Sequence, residues 1–155
     1  DRELLEYATL LHDIGYYISH RKHHKHALYL IRNSDLRGFR EDEINLMAHV
    51  ARYHRRSIPQ KRHGLYKELN KDLRKRIKKL AAILRIADGL DRSHFQNVKE
   101  LEIQNKKKEI ILYINTESDA ALEIWGAMRK SRLLEKVTGK SLEIYTVKKE
   151  AELEI

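Results

Sequence analysis

Cysteine is absent from all 155 residues, which excludes a disulfide framework and any thiolate-ligated zinc site. That absence fits a reducing setting, and the cytoplasm is the expected compartment. No apolar run approaches the roughly 20 residues that a bilayer-spanning helix needs, and no signal peptide opens the chain. Proline occurs once, at Pro59. The glycines (Gly15, Gly38, Gly64, Gly89, Gly126 and Gly139) are dispersed, with no two close enough for a phosphate-cradling loop. The opening "DRELLEYATLLHDIG" is helix-like without an initiator Met, which gives it the texture of an excised piece of a longer protein. The length suits one medium domain, or a larger one with a small appendage.

Charge is present but unevenly spread. Residues 55–79 hold eleven Lys/Arg against Glu68 and Asp72, a net of +9 that equals the charge of the whole chain. Such a block suits a polyanion partner or a solvated helix face. Tyr66 is the only aromatic interleaved in it, so nucleic acid is the weaker candidate and polyphosphate the better one.

Periodicity predicts an α+β chain: an all-α module over residues 1–95, then a small ββαβ module over 96–155. Helices are expected over 2–18, 23–33, Glu41 to His54, and Leu69 to Leu90, with Pro59 and Gly64 marking a loop. "VKELEIQNKKKEIILYI" reads as a hairpin. "TESDAALEIWGAMRKSRLLEKVTG" reads as one helix, with Thr116 and Asp119 at capping-box spacing and Gly139 closing it. "SLEIYTVK" reads as the last strand.

Several helices carry a metal-competent donor on an inward stripe. Ile44, Met47, Val50 and His54 align; so do Ile77, Ala81, Leu84 and Asp88, and Leu5, Ala8 and His12. Asp13 lies about a sixth of a turn round from His12. His26 aligns with Leu30, with His23 one turn earlier. An inward His alone is more often a hydrogen-bonded core residue than a ligand, but a buried carboxylate such as Asp88 needs a cation, a donor network or a metal. Imidazole and carboxylate donors without sulfur suit Mn, Fe, Zn or Co, or Mg where carboxylates and water dominate. His49 shares a face with Asn45 and Arg52 and is expected on the solvated side. His20 and His24 remain open as ligands, supporting donors or surface residues. His63 and His94 are expected at the surface or against a substrate.

The stretches "LLHDIG", "HHKHALYLI", "ARYHRRSIPQ", "LAAILRIADGLDRSH" and "LEIWGAMRKSRLLEKVTG" together resemble, in order and spacing, the C-terminal region of the Ppx/GppA family of exopolyphosphatases and guanosine pentaphosphate phosphatases. That region is similar to the HD superfamily of metal-dependent phosphohydrolases. The resemblance implies that His12 and Asp13 are paired metal ligands and Asp88 the closing one. By analogy with HD-GYP-type members, it makes His26 and His54 the histidines that admit a second metal. The His that the HD pattern places on a preceding helix has no counterpart in this sequence. The family's exopolyphosphatase chemistry belongs to actin-like domains with glycine-rich loops, so it is not expected here. The expected activity, if catalytic, is hydrolysis of a phosphate ester or anhydride by a metal-activated water. Arg52, Arg55, Arg56 and Arg85 are the candidates to neutralise the phosphoryl group, with Lys61 and Arg62 as further polyanion contacts. The alternative is a non-catalytic accessory domain that binds polyphosphate, forms a homodimer, or partners the actin-like domains of a parent protein.

Overall fold

The computed structural model of the chain describes residues 1–147; residues 148–155, "KKEAELEI", which include the last residue of the expected third strand, lie outside the described residues. Helices α1 (Arg2–Leu11), α2 (His23–Asn33), α3 (Glu41–Arg52), α4 (Gly64–Lys67) and α5 (Lys71–Leu90) come first. Strands β1 (Val98–Asn105) and β2 (Glu109–Thr116), helices α6 (Ala121–Met128) and α7 (Arg132–Thr138), and strand β3 (Ser141–Thr146) follow. The α+β class read from the sequence is the observed one. No helix among the described residues is long and apolar enough to cross a membrane.

Two compact units divide the chain, Asp1–Arg85 and the part from Ile86 onward. In the first, α3 is central and packs against α1 and α2. Its Glu41, Asp42 and Glu43 face the positive end of the helix dipole, and Glu43 Oε2 accepts a 2.9 Å hydrogen bond from the Arg40 amide. Leu46 through Ala51 are buried without a break, so this helix has no solvated face at its middle. That overturns the expectation for His49. The face of Asn45 and Arg52 is enclosed, and His49 is 1% exposed beside Tyr53 and Tyr66.

The expected helix over 2–18 is interrupted. It ends at Leu11, turns through His12 and Asp13, and resumes as a short 3-10 turn over Ile14–Tyr17. Packing supplies the reason. A Cβ on Gly15 would lie inside the backbone of His23 and Ala27, so the chain at Gly15 runs directly against the first turn of α2. A straight continuation would forfeit that approach.

In the second unit β1 pairs antiparallel with β2, and β3 lies parallel to β2 on its other side. A parallel return needs a crossover, and α6 and α7 provide it. The single helix expected over 116–139 is therefore two, and Thr116 does not cap it. Asp119 Oδ1 instead accepts from the Ala121 amide at 2.8 Å, while Thr116 bonds Ser118. Ile86 and Leu90, from the last turns of α5, share a hydrophobic cluster with Leu112, Ile114, Ala127 and Leu142. The unit's core thus recruits residues ahead of position 96, where the sequence pattern changes.

Candidate metal centre and the cationic cleft beside it

The break after α1 brings Asp13 among three imidazoles of the first unit. Asp13 Oδ2 lies 3.3 Å from His12 Nε2, and Oδ1 lies 3.2 Å from His23 Nε2 and 3.7 Å from His54 Nε2. One ligand-capable atom from each of His12, Asp13 and His54 lies within 4.8 Å of the others. The His23 and His54 rings stack at 5.4 Å, with their Nε2 atoms 3.4 Å apart.

All three rings are anchored in the same way. Nδ1 of His12 donates to the Thr9 carbonyl at 2.6 Å, that of His23 to His20 at 3.2 Å, and that of His54 to Ala51 at 2.6 Å. A carbonyl only accepts, so each Nδ1 carries the proton. Each Nε2 atom is turned toward a carboxylate and is an electron-pair donor once free of a proton. This is the orientation that second-shell carbonyls impose on metal-ligating histidines. Burial lowers the His23 pKa and favours its neutral form, against the raising effects of the His20 carbonyl and Asp13. Burial also pushes the Asp13 carboxyl up. The His12 hydrogen bond and the charges of His12, His54 and His23 outweigh it and hold the group below its ordinary value. An ionised carboxylate among imidazole nitrogens, whose Nε2 protons a metal would displace, is a donor set that fits a divalent cation.

Arg55 is the positive charge seen touching this set: its Nη1 lies 3.3 Å from His23 Nε2. Arg55 also lines a cleft of about 400 Å³ with His20, Arg21, Lys22, His24, Lys25 and Arg56. Among the described residues no carboxylate lines it. His24 is 6% exposed, and its Nδ1 has no hydrogen-bond partner among the described residues. Burial, followed by the charges of Arg52, His54 and Arg55, depresses its pKa to about 3, so the ring is neutral.

The remaining candidates fall elsewhere. His26 is half-buried on α2 and makes none of these contacts; His23, one turn earlier, makes them instead. Asp88 belongs to the second unit, where its carboxylate accepts from Lys130 Nζ, so its charge has a cation partner there. Arg85 is buried and donates to the carbonyls of Tyr53 at 2.9 Å and Arg56 at 3.3 Å, which fixes the loop that carries His54 and Arg55. Arg52 sits over the Tyr53 ring, 5.4 Å from its centroid. Arg56, Lys61 and Arg62 are exposed. His63 is partly buried and bonds the Tyr53 hydroxyl at 2.8 Å, whereas His94 is exposed. Sequence reasoning left His20 and His24 open and placed His23 only as one turn before His26. The carbonyl three residues before each clustered His would have been a signal only with the turn geometry known.

By construction this is an α+β protein whose candidate site is a carboxylate ringed by imidazoles beside a pocket of cations. The particular family follows from comparison: the sequence profile described as Ppx/GppA phosphatase, domain III, matches residues 1–134, and the chain belongs to that family. It is 34% identical over 55 residues to a guanosine-5'-triphosphate,3'-diphosphate pyrophosphatase of Pseudoalteromonas translucida, a match covering 36% of this chain and 11% of that protein. A protein of the same name from Aeromonas hydrophila is 43% identical over 47 residues, 30% of this chain and 10% of its own length. The matched stretches span about a tenth of these relatives.

Proposed function

We propose that the first unit is an HD-type centre in which His12, Asp13, His23 and His54 hold a divalent cation (Mn, Fe, Zn, Co or Mg) for hydrolysis of a phosphate ester or anhydride. The observation that carries this reading is the shared anchoring of three imidazoles, each with Nδ1–H on a backbone carbonyl and Nε2 toward Asp13. A bound divalent cation would lower the pKa of a water and polarise a phosphoryl oxygen. The chain's own groups do the rest. The carbonyls of Thr9, His20 and Ala51 keep the imidazole tautomers fixed, and Asp13 contributes the negative charge. Arg55 and Arg56 offer guanidinium donors to phosphate oxygens. The phosphatase description of the family and the pyrophosphatase names of the relatives support phosphate chemistry as the substrate class. A cytoplasmic setting belongs to the same reading.

Arg55 also favours a second reading. Its guanidinium already supplies a cation to His23, as it would in an accessory domain that binds polyphosphate or dimerises beside the actin-like domains of a parent protein. Elemental analysis and melting with and without added Mn separate the two. A metal centre predicts bound metal, or a higher melting temperature with Mn in the wild type, and loss of that response in Asp13→Asn. A wild type without metal and indifferent to Mn would leave the accessory reading.

A further inference from the structure

The cleft beside the His–Asp cluster has the composition of an anion site and shares one side chain with the cluster. Arg21, Lys22, Lys25, Arg55 and Arg56 line it, and among the described residues no carboxylate opposes them. Lys22 is the N-cap of α2, an eleven-residue helix, so the cleft also meets the partial positive charge of a helix end. The independent observation is His24. It is buried, it lines the cleft, and its Nδ1 has no hydrogen-bond partner among the described residues. A buried polar atom left unpaired carries an uncompensated desolvation cost, and an imidazole Nδ1–H can donate to an oxyanion.

We infer that this cleft binds a phosphate group, and that Arg55 moves between His23 and the bound phosphate, so that anion and divalent cation promote each other's binding. The inference rests on the metal reading above and adds to it a phosphate site and a linkage. Arg55 Nη1 stands 3.3 Å from His23 Nε2, the atom a cation would need. Metal must displace that guanidinium, which a divalent charge nearby also repels. A phosphate in the cleft offers it a bidentate, charge-matched partner instead. Both ligands therefore favour the same withdrawn position of Arg55. Two ligands that favour one state are positively and reciprocally coupled. The phosphate end of a nucleotide and that of a polyphosphate present the same chemistry.

The test titrates the full chain with Mn, reading free Mn by electron paramagnetic resonance, with inorganic phosphate or chloride at matched ionic strength. Protein-free buffer calibrates the weak Mn–phosphate complex. The expected result in the wild type is a Kd for Mn about fivefold lower with phosphate than with chloride, within the usual range of coupling. Arg55→Gln should bind Mn severalfold more tightly in chloride and lose most of the phosphate effect. Arg21→Gln with Lys25→Gln alters exposed residues that do not touch His23. That double variant should leave the chloride Kd for Mn unchanged while weakening phosphate about tenfold. Parallel arms with a nucleoside 5'-monophosphate and a short polyphosphate identify the source by which competes best for phosphate. Mn that binds equally to wild type and Arg55→Gln, with phosphate indifferent in both, overturns the inference and leaves the metal centre standing. No Mn bound to any variant, with or without phosphate, overturns the metal reading and the inference with it.

Discussion

His49 shows how strongly an enclosed face can act on one side chain. Its ring is buried between Tyr53 and Tyr66, with Nδ1–H on the Asn45 carbonyl at 2.8 Å. Burial, and then the charges of Arg32 and Arg52, outweigh that bond and push its pKa down to about 4. An unfolded His titrates near 6.5. Below that value the unfolded chain binds a proton that the folded chain refuses. The stability contributed by neutral His49 is therefore complete above about pH 6.5 and is lost as pH falls toward about 4. Urea unfolding of the wild type between pH 6 and 4.5 should lose about 1.4 kcal/mol more per pH unit than His49→Gln does. Parallel pH profiles for the two proteins would assign the acid sensitivity elsewhere. The sequence did not reveal this burial, because Asn45, His49 and Arg52 make a polar stripe that looks solvated until Tyr53 and Tyr66 are placed beside it.

Among elements, the seam between the end of α5 and α6 brings backbone against backbone within the second unit. A Cβ on Gly89 would stand 2.5 Å from Ala127 Cα, and one on Gly126 2.6 Å from the Gly89 carbonyl oxygen. These are backbone neighbours, which cannot swing aside as a side-chain tip can. Gly89→Ala should therefore destabilise the protein by about 1–3 kcal/mol, since overpacking forces backbone shifts. Gly64→Ala is the control: its Cβ meets open space, and the expected change is within about 1 kcal/mol, toward greater stability. Equal melting temperatures for the two variants would mean that the seam opens at no cost. The helices and strands around it were legible from spacing alone, but the break between α6 and α7 was not. It falls at residues 129–131, within the crossover that carries the chain back parallel to β2.

For the whole molecule, the net charge is concentrated at residues 55–79, where Lys61, Arg62, Lys75 and Lys78 are all exposed. Binding of polyphosphate to this surface should weaken steeply as salt rises, because screening acts on exposed charges. Changing these four residues to Gln should flatten the salt dependence without lowering the melting temperature. Unaltered binding by that folded variant would leave the block as a solvated face.

The sequence by itself determined the α+β class, the order of helical and strand modules, the basic block and the family. Each of these is written in local periodicity, composition or linear spacing. It also singled out His12, Asp13 and His54, since a His–Asp pair and an inward His are visible along the chain. Only the tertiary structure chose His23 rather than His26 as the neighbour of Asp13, and paired Asp88 with Lys130. It alone assigned Arg85 to the carbonyls of Tyr53 and Arg56. The physical reason lies in the turn after Leu11. Helical phase predicts directions only while the helix continues, and here close approach at Gly15 ends it one residue before the pair that matters. Which cation meets which carboxylate depends on side chains far apart in sequence, and no spacing rule along one helix encodes that choice.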